Sequence, residues 1–364
     1  QTQLVEGYGD RPARGPGVAK GAVIWNHGLA RVSESAGETP LLIDPLQESG
    51  WDVFRLQRRW AGENLGDSTQ ALVAAARKLR ADGYTRIVSA GQSFGGWISL
   101  LAAASTADLF HAIVVTAPAA YGESGRSDSW RRNADTLYDI ARALKPTRVM
   151  TFFFEGDTYD PGGRGETLAR ILAERGVAHA VIDRPPGFAG HSVAMSSAFA
   201  KSFGGCVVAF VEAPLPPADF SCKDRKQPPA QAGFVLPPNL RILAPPQNAP
   251  PGLAKLSGRW YGWYQNGRET MLILTEMGTD RAIGVYAWAQ HVRREGDRAA
   301  FAVRRGEFDA ATGTLRFAEP RLTRLEYRLR QDGLLEATWQ RPDGTGPLLT
   351  SLMRRLDEAP AAPE

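Results

Sequence analysis

Arg86-Ile87-Val88-Ser89-Ala90-Gly91-Gln92-Ser93-Phe94-Gly95-Gly96-Trp97 is the stretch on which the fold turns. Its first half is a β-branched, apolar run that reads as a buried strand. Trp97-Ile98-Ser99-Leu100-Leu101-Ala102-Ala103-Ala104 then reads as a helix. Between them stands Gly91-x-Ser93-x-Gly95. A strand–turn–helix around G-x-S-x-G is the setting of a nucleophile elbow. So sharp a turn needs small neighbours, and Gly91, Gly95 and Gly96 supply them. The serine is lifted out at a helix N-terminus, where free N–H groups and the helix dipole favour negative charge.

A serine needs a base, and the base an orienting acid. Five histidines make elimination practical. His27 ends the first apolar run, His111 and His179 open strand-like runs, and His291 lies in a distant C-terminal region. His191, in Pro185-Pro186-Gly187-Phe188-Ala189-Gly190-His191-Ser192, sits in a loop beside a glycine and is the expected base. The acid should follow a strand between Ser93 and His191. Arg148-Val149-Met150-Thr151-Phe152-Phe153-Phe154 is such a strand, ending in Glu155-Gly156-Asp157-Thr158-Tyr159-Asp160-Pro161. Asp157, just past the strand end after a glycine, is the first choice. Asp160 is the alternative acid, although Pro161 makes it equally a turn former. Glu155 is the third option.

Residues 20 to about 212 resemble the α/β-hydrolase superfamily, and within it the dienelactone-hydrolase-like branch. The matching pieces are Asn26-His27-Gly28, Gly91-Gln92-Ser93-Phe94-Gly95-Gly96, Glu155-Gly156-Asp157 and Gly190-His191, in the chain order Ser…Asp…His of that superfamily. Dienelactone hydrolases proper use a cysteine nucleophile, whereas this chain has Ser93. The resemblance implies an oxyanion hole made by the backbone N–H groups of Leu29 and Phe94. It makes His27 a residue that shapes that loop rather than a base.

Alternating strands and helices predict an α/β fold: a mostly parallel sheet with helices on both faces. An edge strand is read at 2–5, parallel strands at 21–26, 51–56, 86–90, 112–117, 148–154 and 179–183, and helices at 37–49, 67–82, 164–175 and 193–212. Residues 121–145 interrupt the pattern and read equally as a lid or an ordinary connection with one helix. Density of proline between Pro214 and Pro251 excludes regular elements. From Lys255 the pattern switches to period two, with Leu256, Gly258, Trp260, Gly262 and Tyr264 alternating and Asn266-Gly267 as a hairpin signal. About eight short strands predict an antiparallel β-barrel or sandwich. Its opening Leu256-Ser257-Gly258-Arg259-Trp260-Tyr261-Gly262 resembles the first strand of lipocalin- and avidin-like barrels. Trp260, Trp263, Trp288 and Trp339 read as barrel core, with a sugar-binding surface as the alternative. The expected organisation is therefore a catalytic domain at 1–225, a proline-rich linker at 226–254, a β-domain at 255–356 and a tail at 357–364.

The 364 residues are 43% hydrophobic and 23% charged, ordinary values for a globular chain. No apolar run is long enough to span a membrane. The net charge of +4 comes from scattered basic residues. Pairs such as Arg58-Arg59, Arg293-Arg294 and Arg304-Arg305 read as solvated surface, and no nucleic-acid partner is expected. The two cysteines, Cys206 and Cys222, lie close together at the end of the hydrolase-like region, without a zinc spacing. A disulfide there is expected, and with it a secreted or periplasmic location, in keeping with a start at Gln1-Thr2-Gln3. The function expected is a serine hydrolase of the carboxylesterase kind, cleaving an ester through an acyl-enzyme with no cofactor and no metal. The alternatives are an amidase, peptidase or acyltransferase with the same residues, or a non-catalytic binding protein that uses its β-domain. The expected partner is an ester-bearing small molecule or polymer, with a carbohydrate or envelope ligand on the β-domain as a further possibility.

Overall fold

A computed structural model describes residues 2–7, 11–29, 39–58, 63–124, 126–159, 164–214, 220, 222, 233–264, 268–291, 296–319, 322–330, 333–345 and 348–356. The chain divides into two compact units, Gln1–Ala194 with Ala198–Pro228, and Met195–Ser197 with Pro229–Glu364.

In the first unit the elements run β1 (Gln3–Glu6), β2 (Ala22–Asn26), α1 (Asp44–Glu48), β3 (Asp52–Gln57), α2 (Leu65–Ala81), β4 (Ile87–Gln92), α3 (Phe94–Ser105), β5 (Ala112–Thr116), α4 (Arg132–Ala143), β6 (Arg148–Phe153), α5 (Arg164–Glu174), β7 (Ala178–Asp183) and α6 (Ser197–Glu212). The strands form one sheet in the order β1-β3-β2-β4-β5-β6-β7. Every neighbouring pair is parallel except β1 with β3, where Leu4 faces Leu56. Strands β2 and β5 are buried along their whole length, as a sheet covered on both faces requires.

Helix α2 starts at Leu65 rather than at the expected residue 67, because the Asn64 side chain accepts the Asp67 N–H at 2.9 Å and caps the first turn. Its buried stripe is the one the spacing predicts, including Leu72, Ala75, Ala76 and Leu79. That stripe joins α3, α4 and α5 in one apolar core with Ile24, Ile87, Ile113, Val115, Val149 and Phe153. Each fully buried leucine or valine there contributes about 1.5–3 kcal/mol. The opposite side of β6 carries an aromatic cluster in which Phe152 packs edge-on against Phe199 and Phe203 of α6, at 5.1 and 5.4 Å between ring centres.

The second unit holds a short helix, α7 (Pro251–Ala254), and eight strands: β8 (Gly258–Trp263), β9 (Glu269–Met277), β10 (Arg281–Trp288), β11 (Ala300–Asp309), β12 (Thr314–Phe317), β13 (Arg324–Leu329), β14 (Leu335–Gln340) and β15 (Leu349–Arg355). They close into an up-and-down antiparallel barrel in which β15 returns to β8. The expected barrel-or-sandwich is thus a barrel, and β11 reaches Asp309. Arg304-Arg305, expected as solvated surface, lies inside β11. Arg304 and Gly306 are both buried, and a Cβ on Gly306 would lie 2.9 Å from the Phe317 ring. The Asn266-Gly267 hairpin signal lies outside the described residues.

Trp260, Leu272, Leu274, Phe308, Leu315, Phe317, Leu335 and Met353 share the barrel's core, which α7 enters with Leu253. Trp288 and Trp339 pack against this core, whereas Trp263 falls on the opposite face of β8 from Trp260 by the period of two. The four tryptophans share no single surface, and three of them serve as core. Residues 233–250 carry no helix or strand, yet Phe234, Leu236, Leu240 and Ile242 pack on the outward-facing Met271, Ile273, Val285 and Ala287. The Leu243 N–H donates to Thr275 O at 2.9 Å. This proline-rich stretch is a strap on the barrel wall.

Cys206 on α6 is bonded to Cys222, with Cα atoms 5.9 Å apart. The bridge closes a loop of 16 residues, worth about 3 kcal/mol in the chain-entropy model. Reduction is therefore expected to lower the melting temperature of the first unit by roughly 5–10 °C. Calorimetry with and without reductant checks this, and identical curves for thiol-titrated protein would refute it.

Candidate active site

Ser93 connects β4 to α3 in a backbone conformation that side chains avoid, φ 54° and ψ −122°. The turn holds because both ends are bonded: the Ser93 N–H donates to Thr116 O at 3.0 Å, and the Trp97 N–H to Ser93 O at 3.0 Å. Strain of this kind persists only where the surroundings over-determine it. The surroundings here are very close. A Cβ at position 95 would stand 2.0 Å from Asn26 O and 2.4 Å from His27 O. Glycine at 95 therefore brings the start of α3 onto the end of β2. The Phe94 N–H, in the first turn of α3, has no intrahelical acceptor.

Asp157 and His191 come together. His191 Nδ1 lies 2.9 Å from Asp157 Oδ1, with the carboxylate fully buried and the imidazole 12% exposed. The acidic loop and the histidine loop are joined by the backbone, through the Gly190 N–H to Glu155 O at 2.7 Å. The Tyr159 N–H donates to Asp157 Oδ1 at 2.9 Å, and the Tyr159 ring lies 4.1 Å from the imidazole. Gln92, one residue before the serine, donates through Nε2 to His191 O at 3.2 Å. His191 Nε2 is buried and has no hydrogen-bond partner among the described residues, Ser93 included. Such bonds often tighten only when substrate is bound.

Behind Asp157 lies Arg164, fully buried at the start of α5. Its guanidinium is 4.0 Å from Asp157 Oδ2, donates to Pro118 O at 2.9 Å, and sits over the Phe153 ring. Burial pushes the Asp157 carboxyl up. The charge and hydrogen bond of His191, then Arg164 and the Tyr159 N–H, outweigh it and hold the group below the usual carboxylate range. Glu155, the third candidate acid, is exposed. Asp160 lies outside the described residues.

Of the other histidines, His111 contacts Val211 O through Nε2 and His179 contacts Val177 O through Nδ1. Leu29 is exposed beside the elbow. The segment at 121–145 is fastened on both sides. Ser124 N–H donates to Thr158 O at 2.9 Å and Thr158 Oγ1 to Glu123 Oε1 at 2.8 Å. Leu137, Ile140 and Ala141 of α4 join the core. Among the described residues no cluster of histidine, cysteine, aspartate and glutamate could hold a metal ion, and no helix is long and apolar enough to cross a membrane.

Reading by residue type missed two arginines. Arg58 was expected at the surface with Arg59; it is 3% exposed and paired with the buried Glu63. Arg304 is likewise buried, at 7%. Arg164 gave no signal beyond its position a few residues after the candidate acid.

Sheet order, a strained elbow serine and an Asp–His pair after β6 and β7 define the α/β-hydrolase fold. Residues 53–134 match the model of the prolyl oligopeptidase family. No curated protein matches the chain. Among solved structures, the monoacylglycerol lipase of Paleococcus ferrophilus is 14% identical, covering 58% of this chain and 98% of its own, with a TM-score of 0.44. Est1E from Butyrivibrio proteoclasticus is 20% identical over 58% of this chain and 90% of its own, at 0.39. A puromycin-hydrolyzing peptidase from Mycobacterium tuberculosis is 19% identical over 58% of this chain and 36% of its own, at 0.40.

The contact under α3 yields an expected outcome. Gly95→Ala should lose more than the ~1–3 kcal/mol typical of overpacking, because the added carbon meets backbone carbonyls rather than a movable side chain. Soluble yield and melting temperature check it; a variant that melts like the wild type would show that β2 and α3 can part.

Proposed function

We propose that the first unit is a serine hydrolase that cleaves carboxylic esters, with Ser93 as nucleophile, His191 as base and Asp157 as the orienting acid. The observation that carries this reading is the buried Asp157–His191 pair, fixed to the elbow through Gln92. With Nδ1–H directed at Asp157, the neutral imidazole has its lone pair on Nε2, the nitrogen left without a partner. Nε2 takes the Ser93 proton as Oγ attacks the ester carbonyl, and Asp157 stabilises the imidazolium that forms. The Leu29 and Phe94 N–H groups hold the oxyanion. The tetrahedral intermediate collapses, His191 returns the proton to the departing alcohol, and water repeats the sequence on the acyl-enzyme. None of these steps calls on a cofactor or metal.

The same residues would cleave an amide, and the prolyl oligopeptidase match at 53–134 favours that second reading specifically. A carboxylic ester remains the first, since its leaving alcohol asks less of the general acid. The Cys206–Cys222 bridge supports a secreted or periplasmic location.

Ser93→Ala is expected to abolish labelling by a fluorophosphonate and hydrolysis of p-nitrophenyl esters, with the circular-dichroism spectrum retained. Asp157→Asn should lower kcat by about 10⁴-fold, as loss of the orienting acid does elsewhere. Ester turnover unaffected by Ser93→Ala would overturn the mechanism. Faster turnover of a prolyl p-nitroanilide than of any p-nitrophenyl ester would replace esterase by peptidase.

A further inference from the structure

Beneath the loop that carries Leu29 lies a buried ion pair that the reaction above does not use. Arg58, at the end of β3, is paired through Nε with Glu63, and both side chains are all but fully buried. Glu63 also accepts from Ser68 Oγ in the first turn of α2, at 2.9 Å. The other end of the guanidinium reaches the oxyanion loop. Arg58 Nη2 donates to His27 O and approaches Gly28 O at 3.5 Å. The guanidinium carbon lies 5.6 Å from the centre of the Phe94 ring. An ion pair buried this deeply is weak support for stability, since packed apolar residues often serve as well. Its position points to another use.

His27 completes the arrangement. Its Nδ1 is 2.7 Å from Gly28 O, and its Nε2 faces the Arg58 backbone N–H at 3.4 Å. The neutral tautomer with the proton on Nδ1 satisfies both contacts, donating to Gly28 O and accepting at Nε2; Arg58 Nη2, 3.2 Å from that Nδ1, then bonds the backbone carbonyls and not the ring. Burial, then the charge of Arg58, hold the imidazole neutral by pushing its pKa down to about 3.

The peptide bonds here are trans, so the Leu29 N–H points away from Gly28 O across a planar unit. Gly28 packs directly on the nucleophile: a Cβ at that position would lie 3.3 Å from Ser93 Cβ and 2.5 Å from Gln92 Oε1. Glycine also leaves the backbone at 28 free to rotate. A flip of the Gly28–Leu29 peptide would exchange the Leu29 donor for the Gly28 carbonyl and turn a stabilising dipole into a repelling one. We infer that Arg58, Glu63 and His27 are positioning residues that lock this peptide with its carbonyl turned toward the buried guanidinium and imidazole and its N–H toward the oxyanion. The inference rests on the serine-hydrolase reading and adds to it the device that sets the polarity of the hole.

The test uses the full chain, p-nitrophenyl acetate as substrate and a trifluoromethyl ketone as transition-state analogue. Arg58→Lys keeps a charge for Glu63 but cannot span to both carbonyls. Arg58→Met with Glu63→Met removes the pair without leaving a lone buried charge. In both, kcat is expected to fall about 10²-fold, the cost of one oxyanion donor, with KM within about twofold and the analogue bound more weakly by a similar factor. His27→Ala should show the same pattern, and His27→Asn, whose amide N–H can replace Nδ1–H, should recover most of the loss. A folded double variant with wild-type kcat and analogue affinity overturns the inference, as does a loss confined to KM. Turnover that survives Ser93→Ala overturns the serine reading and this inference together. Turnover that needs Ser93 but ignores the Arg58 and His27 variants overturns this inference alone.

Discussion

Among the described glycines, Gly95 leaves the least room for a side chain, because its backbone packs against the carbonyls of Asn26 and His27. It couples two segments that the chain separates by almost seventy positions. Because β2 and β4 are adjacent and parallel, with Asn26 opposite Gly91, both strands deliver their C-terminal ends to the same edge of the sheet. The elbow after one and the loop after the other are then forced together. A parallel sheet makes this kind of site readily, since every strand exits on the same side. Asp157 and His191 follow β6 and β7 on that side too, which is why four short segments from distant positions converge.

What the sequence made legible follows from this geometry. The elbow was readable because its glycines answer a steric demand that few other turns make. Asp157 was the first choice from its place just past a strand end, and its carboxylate lies 2.9 Å from His191 Nδ1, while Asp160 lies outside the described residues. The arginines were opaque for a physical reason. Arg58 and Arg164 are charges placed in the interior, where composition rules expect none, and only a three-dimensional partner makes such burial tolerable. Glu63 lies five residues from Arg58, but at loop spacing, which carries no periodic signal.

The two units are built on different economies of burial. In the first, helices cover a parallel sheet, and the signal is alternation of element types along the chain. In the second, the barrel closes on itself and its signal is alternation within each strand. The strap at 233–250 belongs to neither pattern. Its apolar residues, Phe234, Leu236, Leu240 and Ile242, are spaced by two and four through a proline-rich context. Proline removes the option of a helix or central strand, so this stretch can bury its side chains only by lying flat on a wall that another element provides.

A barrel has no free edge, but an open sheet has two. In the first unit one of them is β7, beyond which no further strand is paired among the described residues. Phe220 lies against it: its N–H donates to His179 O at 3.0 Å, and its ring packs edge-on against Phe210. Two residues later Cys222 is fastened to Cys206. The disulfide thus holds Phe220 and Cys222 beside a strand margin, the kind of surface that templates pairing between molecules. Reduction removes that covalent tie and leaves Phe220 its backbone bond to His179 and its ring contact with Phe210. The redox state of a single bond therefore bears on colloidal behaviour, with the chemistry at the far end of the strands untouched.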